Sequence, residues 1–202
     1  MTNHATDRPE LVLAAERLAR QLGFPLTREE AGPERHSACM PGVGRFLAML
    51  SAGANSIGEL GTGSGVGTAW MASALPPDGR LVTVEIEASQ AEAVRPLFAA
   101  DRRVEVIIGD ARAEVATRGP FDLLFADCGI RDHESFNSLV DLLRIGGRIV
   151  MDDVTPVAAQ APDVPMLAQG LKRSFFASPR LVSTEVVLTD LANSLLVGTR
   201  IS

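Results

Sequence analysis

The chain has 202 residues, 46% of them hydrophobic, a formal net charge of -6 and a pI near 5.1. That suits one domain with a sizeable core, or one domain with a small appendage. An acidic chain without a basic run excludes nucleic acid as a primary partner, and no apolar run reaches the ~18 residues of a membrane span.

The polar start, MTNHATDRPE, lacks the apolar core of a signal peptide, so the expected location is cytoplasmic. Cys39 and Cys128 are then expected as free thiols. DRPELVLAAERLARQLG reads as a helix, with Pro9 near its first turn, Gly23 at its end, and Leu11, Ala14, Ala15, Leu18 and Leu22 on one face. Residues 24–42 are loop-rich and give the one candidate boundary, between an extension at 1–42 and a main unit at 43–202. VGRFLAML follows as a short helix.

From NSIGEL onward strands and helices alternate. The strands are NSIGEL, RLVTVEI, RVEVIIG, FDLLFAD and GGRIVMDD. The helices are VGTAWMASAL, SQAEAVRPLFAA, ARAEVATR, ESFNSLVDLLR and PMLAQGLKRSFFA, with Pro96 predicting a kink or an early end in the second. RLVSTEVVL and NSLLVGTRI close the chain as two strands. The alternation predicts an α/β fold with a parallel sheet covered by helices on both faces, and the final pair adds an antiparallel edge.

IGELGTGSGVGTAW, residues 57–70, holds five glycines between the first core strand and its helix. In open α/β sheets ligands bind beyond the carboxyl ends of the strands. The dinucleotide pattern G-x-G-x-x-G fails in both registers, because Val66 or Thr68 takes the last glycine's place. Glu59, just before the loop, suits a ligand carrying an ammonium. Glu85 ends the next strand about 20 residues after the loop, the spacing at which a carboxylate grips ribose hydroxyls. Asp110 follows the third strand. Singly, each is an ordinary strand-end carboxylate; together they describe a ligand with an amino group and a nucleoside.

These stretches resemble the class I S-adenosylmethionine (SAM)-dependent methyltransferases, and most of all the catechol and caffeoyl-CoA O-methyltransferase group. The likeness runs from about Pro41 to Gly198 and rests on MPGVGRFLAML, IGELGTGSGVGTAWMASALPPDGRLVTVEIE, VIIGDA, FDLLFAD and GGRIVMDD. It implies a Rossmann-like fold with a seven-stranded, mostly parallel sheet, an antiparallel last strand and a homodimer. It also implies a cofactor set: Glu59 and the Gly61–Gly67 backbone, with Thr62, Gly63, Gly65 and Val66, at the methionine part, Glu85 at the ribose, Asp110 with Ala111 at the adenine side, and Met40, Thr68, Ile86, Gly109 and Asp127 as further cofactor residues.

Asp127 ends the fourth strand, and Asp152 with Asp153 ends the fifth. Three converging carboxylates need a shared proton or a cation, and hard oxygen donors suit Mg²⁺ or Ca²⁺. In the resembling group the matching positions carry Asp, Asp and Asn around a divalent metal, so Asp153 departs from the pattern. The group's lysine after the fourth strand is matched by Ile130, which cannot move a proton. His133, three residues on, has a side chain suited to base work. The expected reaction is methyl transfer from SAM to a hydroxyl of a small-molecule acceptor, with Asp127 and His133 as catalytic residues. A metal-independent enzyme acting on N or O, and an idle SAM-binding partner protein, are the alternatives.

Overall fold

The structure is a computed structural model that describes residues 8–27, 30, 37–127, 133–154, 166–188 and 194–202. In chain order it runs α1 (Glu10–Gln21), α2 (Pro41–Ser51), β1 (Ser56–Leu60), α3 (Val66–Ala74), β2 (Arg80–Glu85), α4 (Ala88–Phe98), β3 (Val104–Ile108), α5 (Ala111–Ala116), β4 (Phe121–Ala126), α6 (His133–Asp141), β5 (Leu143–Val154), α7 (Met166–Ala177), β6 (Leu181–Val187) and β7 (Ser194–Arg200). The seven strands form one sheet in the order β3-β2-β1-β4-β5-β7-β6. Strands β1 to β5 pair in parallel, whereas β7 is antiparallel to both β5 and β6. This is the expected Rossmann-like fold. Its order reverses at β1, so β1 and β4 flank the switch point where such sheets bind ligands.

The central strands are apolar on both faces because both faces are covered. On one face Leu60, Val84, Leu124 and Ile149 pack against Phe136, Leu139 and Val140 of α6 and Phe175 of α7. On the other, Ile57, Leu81, Phe125 and Val150 pack against Val43 and Leu47 of α2 and Met71 of α3. Helix α1 does not stand apart: Val12, Ala15 and Ala19 share a third cluster with Ala69 and Trp70 of α3 and Val94 and Phe98 of α4. Trp70 seats its ring on Gly44 of α2, where a β-carbon would lie 2.1 Å from Cδ1.

Two boundaries differ from the local sequence pattern. Helix α4 does not stop early, since Pro96 lies inside it and the helix continues to Phe98. Helix α6 ends at Asp141, and β5 begins at Leu143, earlier than the glycine pair suggests. The reason is tertiary: the Arg200 guanidinium of β7 donates to the carbonyls of Val140, Asp141 and Leu143, satisfying groups that a longer helix would have used. Among the described residues no helix is long and apolar enough to cross a membrane.

Candidate functional site

The carboxyl edge of β1 turns into α3 through a loop held by glycines. Gly61, Gly63 and Gly65 all have positive φ, at 96°, 52° and 79°. Gly65 is the N-cap of α3 in the left-handed region, and a β-carbon there would meet Val94 Cγ1 at 2.8 Å. A side chain is thus excluded twice over, by backbone conformation and by space. Gly67 serves another purpose. Its missing β-carbon leaves room for Glu59, whose Oε1 would be only 2.8 Å away. At Gly63, in contrast, a β-carbon would meet nothing within 4 Å, so this is the open face of the loop.

Glu59 is 1% exposed at the end of β1. Burial raises its carboxyl from 4.5 to about 7; hydrogen bonds from Thr68 and Thr83 oppose the rise and nearby Glu85 adds to it. The Thr68 hydroxyl donates to Glu59 Oε2, and Thr83 Oγ1 lies 2.6 Å from Thr62 Oγ1. Two hydroxyls therefore tie the carboxyl to the first turn of α3 and to β2, whose Thr83 also meets Thr62 of the loop. No ion pair to Glu59 is present among the described residues.

Glu85 ends β2 and is 7% exposed. Its Oε2 accepts from the Gly63 amide at 2.8 Å, and its Oε1 from the Glu87 amide at 3.0 Å. The second carboxylate thus clasps the open part of the glycine loop. The Gly109 amide donates to the Glu85 carbonyl at 3.0 Å, bringing the turn after β3 alongside. Asp110 there caps α5, accepting from the Ala113 amide at 3.0 Å, while Ala111 opens that helix and packs on the core.

The other expected cofactor residues divide by exposure. Met40 is the N-cap of α2 and is buried with Val43, Leu47 and Phe125. Thr62, Val66 and Thr68 are buried around the loop, whereas Ile86 is 69% exposed beyond the tip of β2. Thr83 was not legible as a site residue; its one signal is a hydroxyl in the middle of the otherwise apolar strand LVTV.

Asp127 follows β4, with its amide bonded to the Leu60 carbonyl at 3.0 Å. Ala126 pairs with Met151, so the next residue on each strand, Asp127 and Asp152, lies side by side at the edge. Adjacent strands run about 4.8 Å apart, a spacing that lets two carboxylates share one cation. The backbone of Asp153 belongs to β5 and His133 begins α6, but both side chains lie outside the described residues. So do Cys128, Ile130 and Arg131. Among the described residues no group of three His, Cys, Asp or Glu side chains that could hold a metal ion occurs, and the side chain of Asp153 lies outside them.

A family profile described as O-methyltransferase matches residues 29–190. A catechol O-methyltransferase of Mycobacterium tuberculosis is 37% identical over 120 residues, which is 55% of this chain and 54% of that protein. A Mycobacterium bovis protein assigned as an O-methyltransferase is 36% identical over 134 residues, 61% of this chain and 59% of its own length. The chain thus spans little more than half the length of these curated relatives. Among solved structures, the O-methyltransferase TomG of Streptomyces achromogenes, crystallised in complex with SAM, superposes with a TM-score of 0.75 at 28% identity, covering 97% of this chain and 92% of that one. An O-methyltransferase from Bacillus cereus in complex with SAH matches with a TM-score of 0.74 over 96% of this chain and 93% of its own, and at 24% identity it speaks to the fold alone.

Proposed function

The chain belongs to the O-methyltransferase family, and from that premise we propose that it transfers the methyl group of SAM to a hydroxyl oxygen of a small molecule. The observation that carries this reading is the glycine loop, open at Gly63 and flanked by the buried carboxyl of Glu59 and the carboxylate of Glu85. That donor set fits SAM: an acid for its ammonium, an acid for its ribose, and a loop without side chains against which its backbone can lie.

SAM when bound supplies an electrophilic methyl on a sulfonium. The chain's own part is alignment, because an in-line displacement gains most from fixed distance and angle. Glu59, held by Thr68 and Thr83, faces the amino end; Gly61, Thr62, Gly63, Gly65 and Val66 form the cradle. Glu85 with Ile86 holds the ribose, and Gly109, Asp110 and Ala111 border the adenine. Met40 closes the cradle from the α2 side.

Asp127 and Asp152 form the acceptor side. The acceptor hydroxyl would lose its proton as its oxygen bonds to the methyl carbon and the bond from that carbon to the sulfonium sulfur breaks, with S-adenosylhomocysteine as the leaving group. Asp127 or His133 receives that proton. Hard carboxylate oxygens on neighbouring strands fit a divalent cation such as Mg²⁺ or Ca²⁺, with Asp153 as a third ligand; such a cation lowers the pKa of a bound hydroxyl. Metal-independent transfer is the second reading. It is favoured by Ile130 at the position where the resembling group has its lysine. Residues 1–42 are read as an extension of the catalytic unit at 43–202, in a cytoplasmic homodimer. The support is the resemblance, along with the absence of a basic or membrane-spanning stretch in the sequence.

Calorimetric titration with S-adenosylhomocysteine (SAH), in excess Mg²⁺ and again in EDTA, tests the reading. Binding in both supports the cradle, and a gain with Mg²⁺ supports the metal at Asp127 and Asp152. Failure to bind in either removes the proposal.

A further inference from the structure

The acceptor side contains a buried charge cluster that neither the glycine motif nor the strand-end carboxylates announce. Lys172 of α7 is 5% exposed, and its Nζ lies 2.6 Å from Glu185 Oε1 of β6. The fully buried Ser194 of β7 donates its hydroxyl to the same Glu185 oxygen. Three elements are thus joined through one carboxylate oxygen.

Ser194 sits at a particular place in the register. It pairs with Val154 of β5 on one side and with Val187 of β6 on the other. The preceding β5–β7 pair is Met151 with Leu196, so Asp152 and Asp153 together face the single residue Leu195. This is a β-bulge, a device that bends a strand and re-aims its side chains, common beside functional sites. The two strand-end aspartates of β5 are the bulge, and Ser194 closes it.

A bulge loses ladder bonds and must be held by something else. Strand β6 is the open edge of the sheet, with Val182 and Val187 each more than 60% exposed, so it offers no stiffness from beyond. The buried Lys172–Glu185–Ser194 cluster bolts β6 and β7 to α7 at the level of the bulge. Burying an ion pair seldom adds stability over apolar residues of the same size; where it is kept, specifying one geometry is a reason to test.

We propose that Lys172, Glu185 and Ser194 are positioning residues that fix the Asp152–Asp153 bulge and hence the acceptor side of the site, leaving the cofactor cradle untouched. Calling this edge the acceptor side rests on the function proposed above; the mechanical claim does not.

Hydrogen–deuterium exchange of the full chain, read peptide by peptide, tests it. Lys172→Met leaves the partly buried Glu185 without its cation and can compromise folding, so it is paired with Lys172→Met/Glu185→Leu, which makes the pair apolar, and with Lys172→Arg, which keeps the charge. In the double variant, exchange over residues 150–154 is expected to rise about tenfold, with residues 57–70 unchanged and SAH affinity within about twofold of wild type. Lys172→Arg is expected to keep exchange slow. Unchanged exchange at 150–154 in a folded double variant overturns the proposal. So does a rise by the same factor in every peptide, which marks general destabilisation. If wild type does not bind SAH at all, the proposed function fails, while the exchange result still decides the positioning claim.

Discussion

At the β1–β2 edge the polar groups are held by backbone and by hydroxyls: Glu59 by Thr68 and Thr83, Glu85 by the amides of Gly63 and Glu87. At the β5–β7–β6 edge the corresponding work falls to a buried ion pair and a bulge. The first edge is tied mostly through backbone amides and neutral hydroxyls, the second through the charged side chains of Lys172 and Glu185 and the hydroxyl of Ser194. Removing a side chain should therefore hurt the acceptor edge most, and adding one should hurt the cofactor edge most.

The largest effect is expected from Asp127, where the two edges meet. Asp127→Ala removes the proposed proton acceptor or metal ligand, and such groups contribute factors of about 10²–10⁴ in rate. Turnover with a small-molecule hydroxyl acceptor that the wild type methylates is expected to fall by about a thousandfold or more. SAH affinity, which the proposed cradle assigns mainly to the β1–β2 edge, is expected to change by less than about tenfold. A variant with full activity would break the assignment.

Next come side chains added to the loop, which separate its packed face from its open face. Gly65→Ala imposes a left-handed residue and a contact with Val94 Cγ1 at 2.8 Å. Strain of about 1 kcal/mol and overpacking of about 1–3 kcal/mol predict a loss near 2–3 kcal/mol in denaturant unfolding. Gly63→Ala carries the same kind of strain at φ 52° but meets open space. It is expected to cost about 1 kcal/mol of stability, yet to weaken SAH binding by more than about tenfold. Unchanged SAH affinity in Gly63→Ala would mean that the open face is not where the ligand lies.

The same division explains what could be read from the sequence. The geometry of the β1–β2 edge, proposed as the cofactor cradle, was legible because a loop that leaves no room for side chains must spell itself in glycine, and the acids beside it end their strands within one βαβ unit. Even there Thr83 escaped, since one hydroxyl in LVTV signals nothing until the fold puts it beside Glu59 and Thr62. The α6–β5 boundary escaped because Arg200, far along the chain, completes that helix end. Lys172, Glu185 and Ser194 escaped for the same reason: none of them has a local motif, and each acquires its role only through the pairing of β5, β7 and β6.

The smallest effect, and the most diagnostic for the β1–β2 edge, is the pH dependence that Glu59 confers. Its carboxyl is raised from 4.5 to about 7, chiefly by burial. In the free chain this acid holds its proton more tightly than in the unfolded chain. The stability it contributes is present below pH 4.5 and is lost as pH rises towards 7. A cationic ligand reverses the preference, since an ammonium beside Glu59 favours the ionised form and drives the proton off. If only the ionised form binds well, affinity scales with the ionised fraction, about tenfold lower at pH 6 than at pH 8. Glu85 and the two threonine hydroxyls are the polar groups acting on Glu59, and Glu85 pushes its pKa in the same direction as burial. Melting curves with and without SAH are thus expected to diverge as pH rises: the free chain weakens across the window while the ligand's stabilising shift grows. Glu59→Gln, which cannot ionise, is expected to flatten both trends. A stabilising shift that is equal at pH 6 and pH 8 in wild type would mean that the ammonium of the ligand does not meet this carboxyl, and that the buried acid of β1 serves the loop alone.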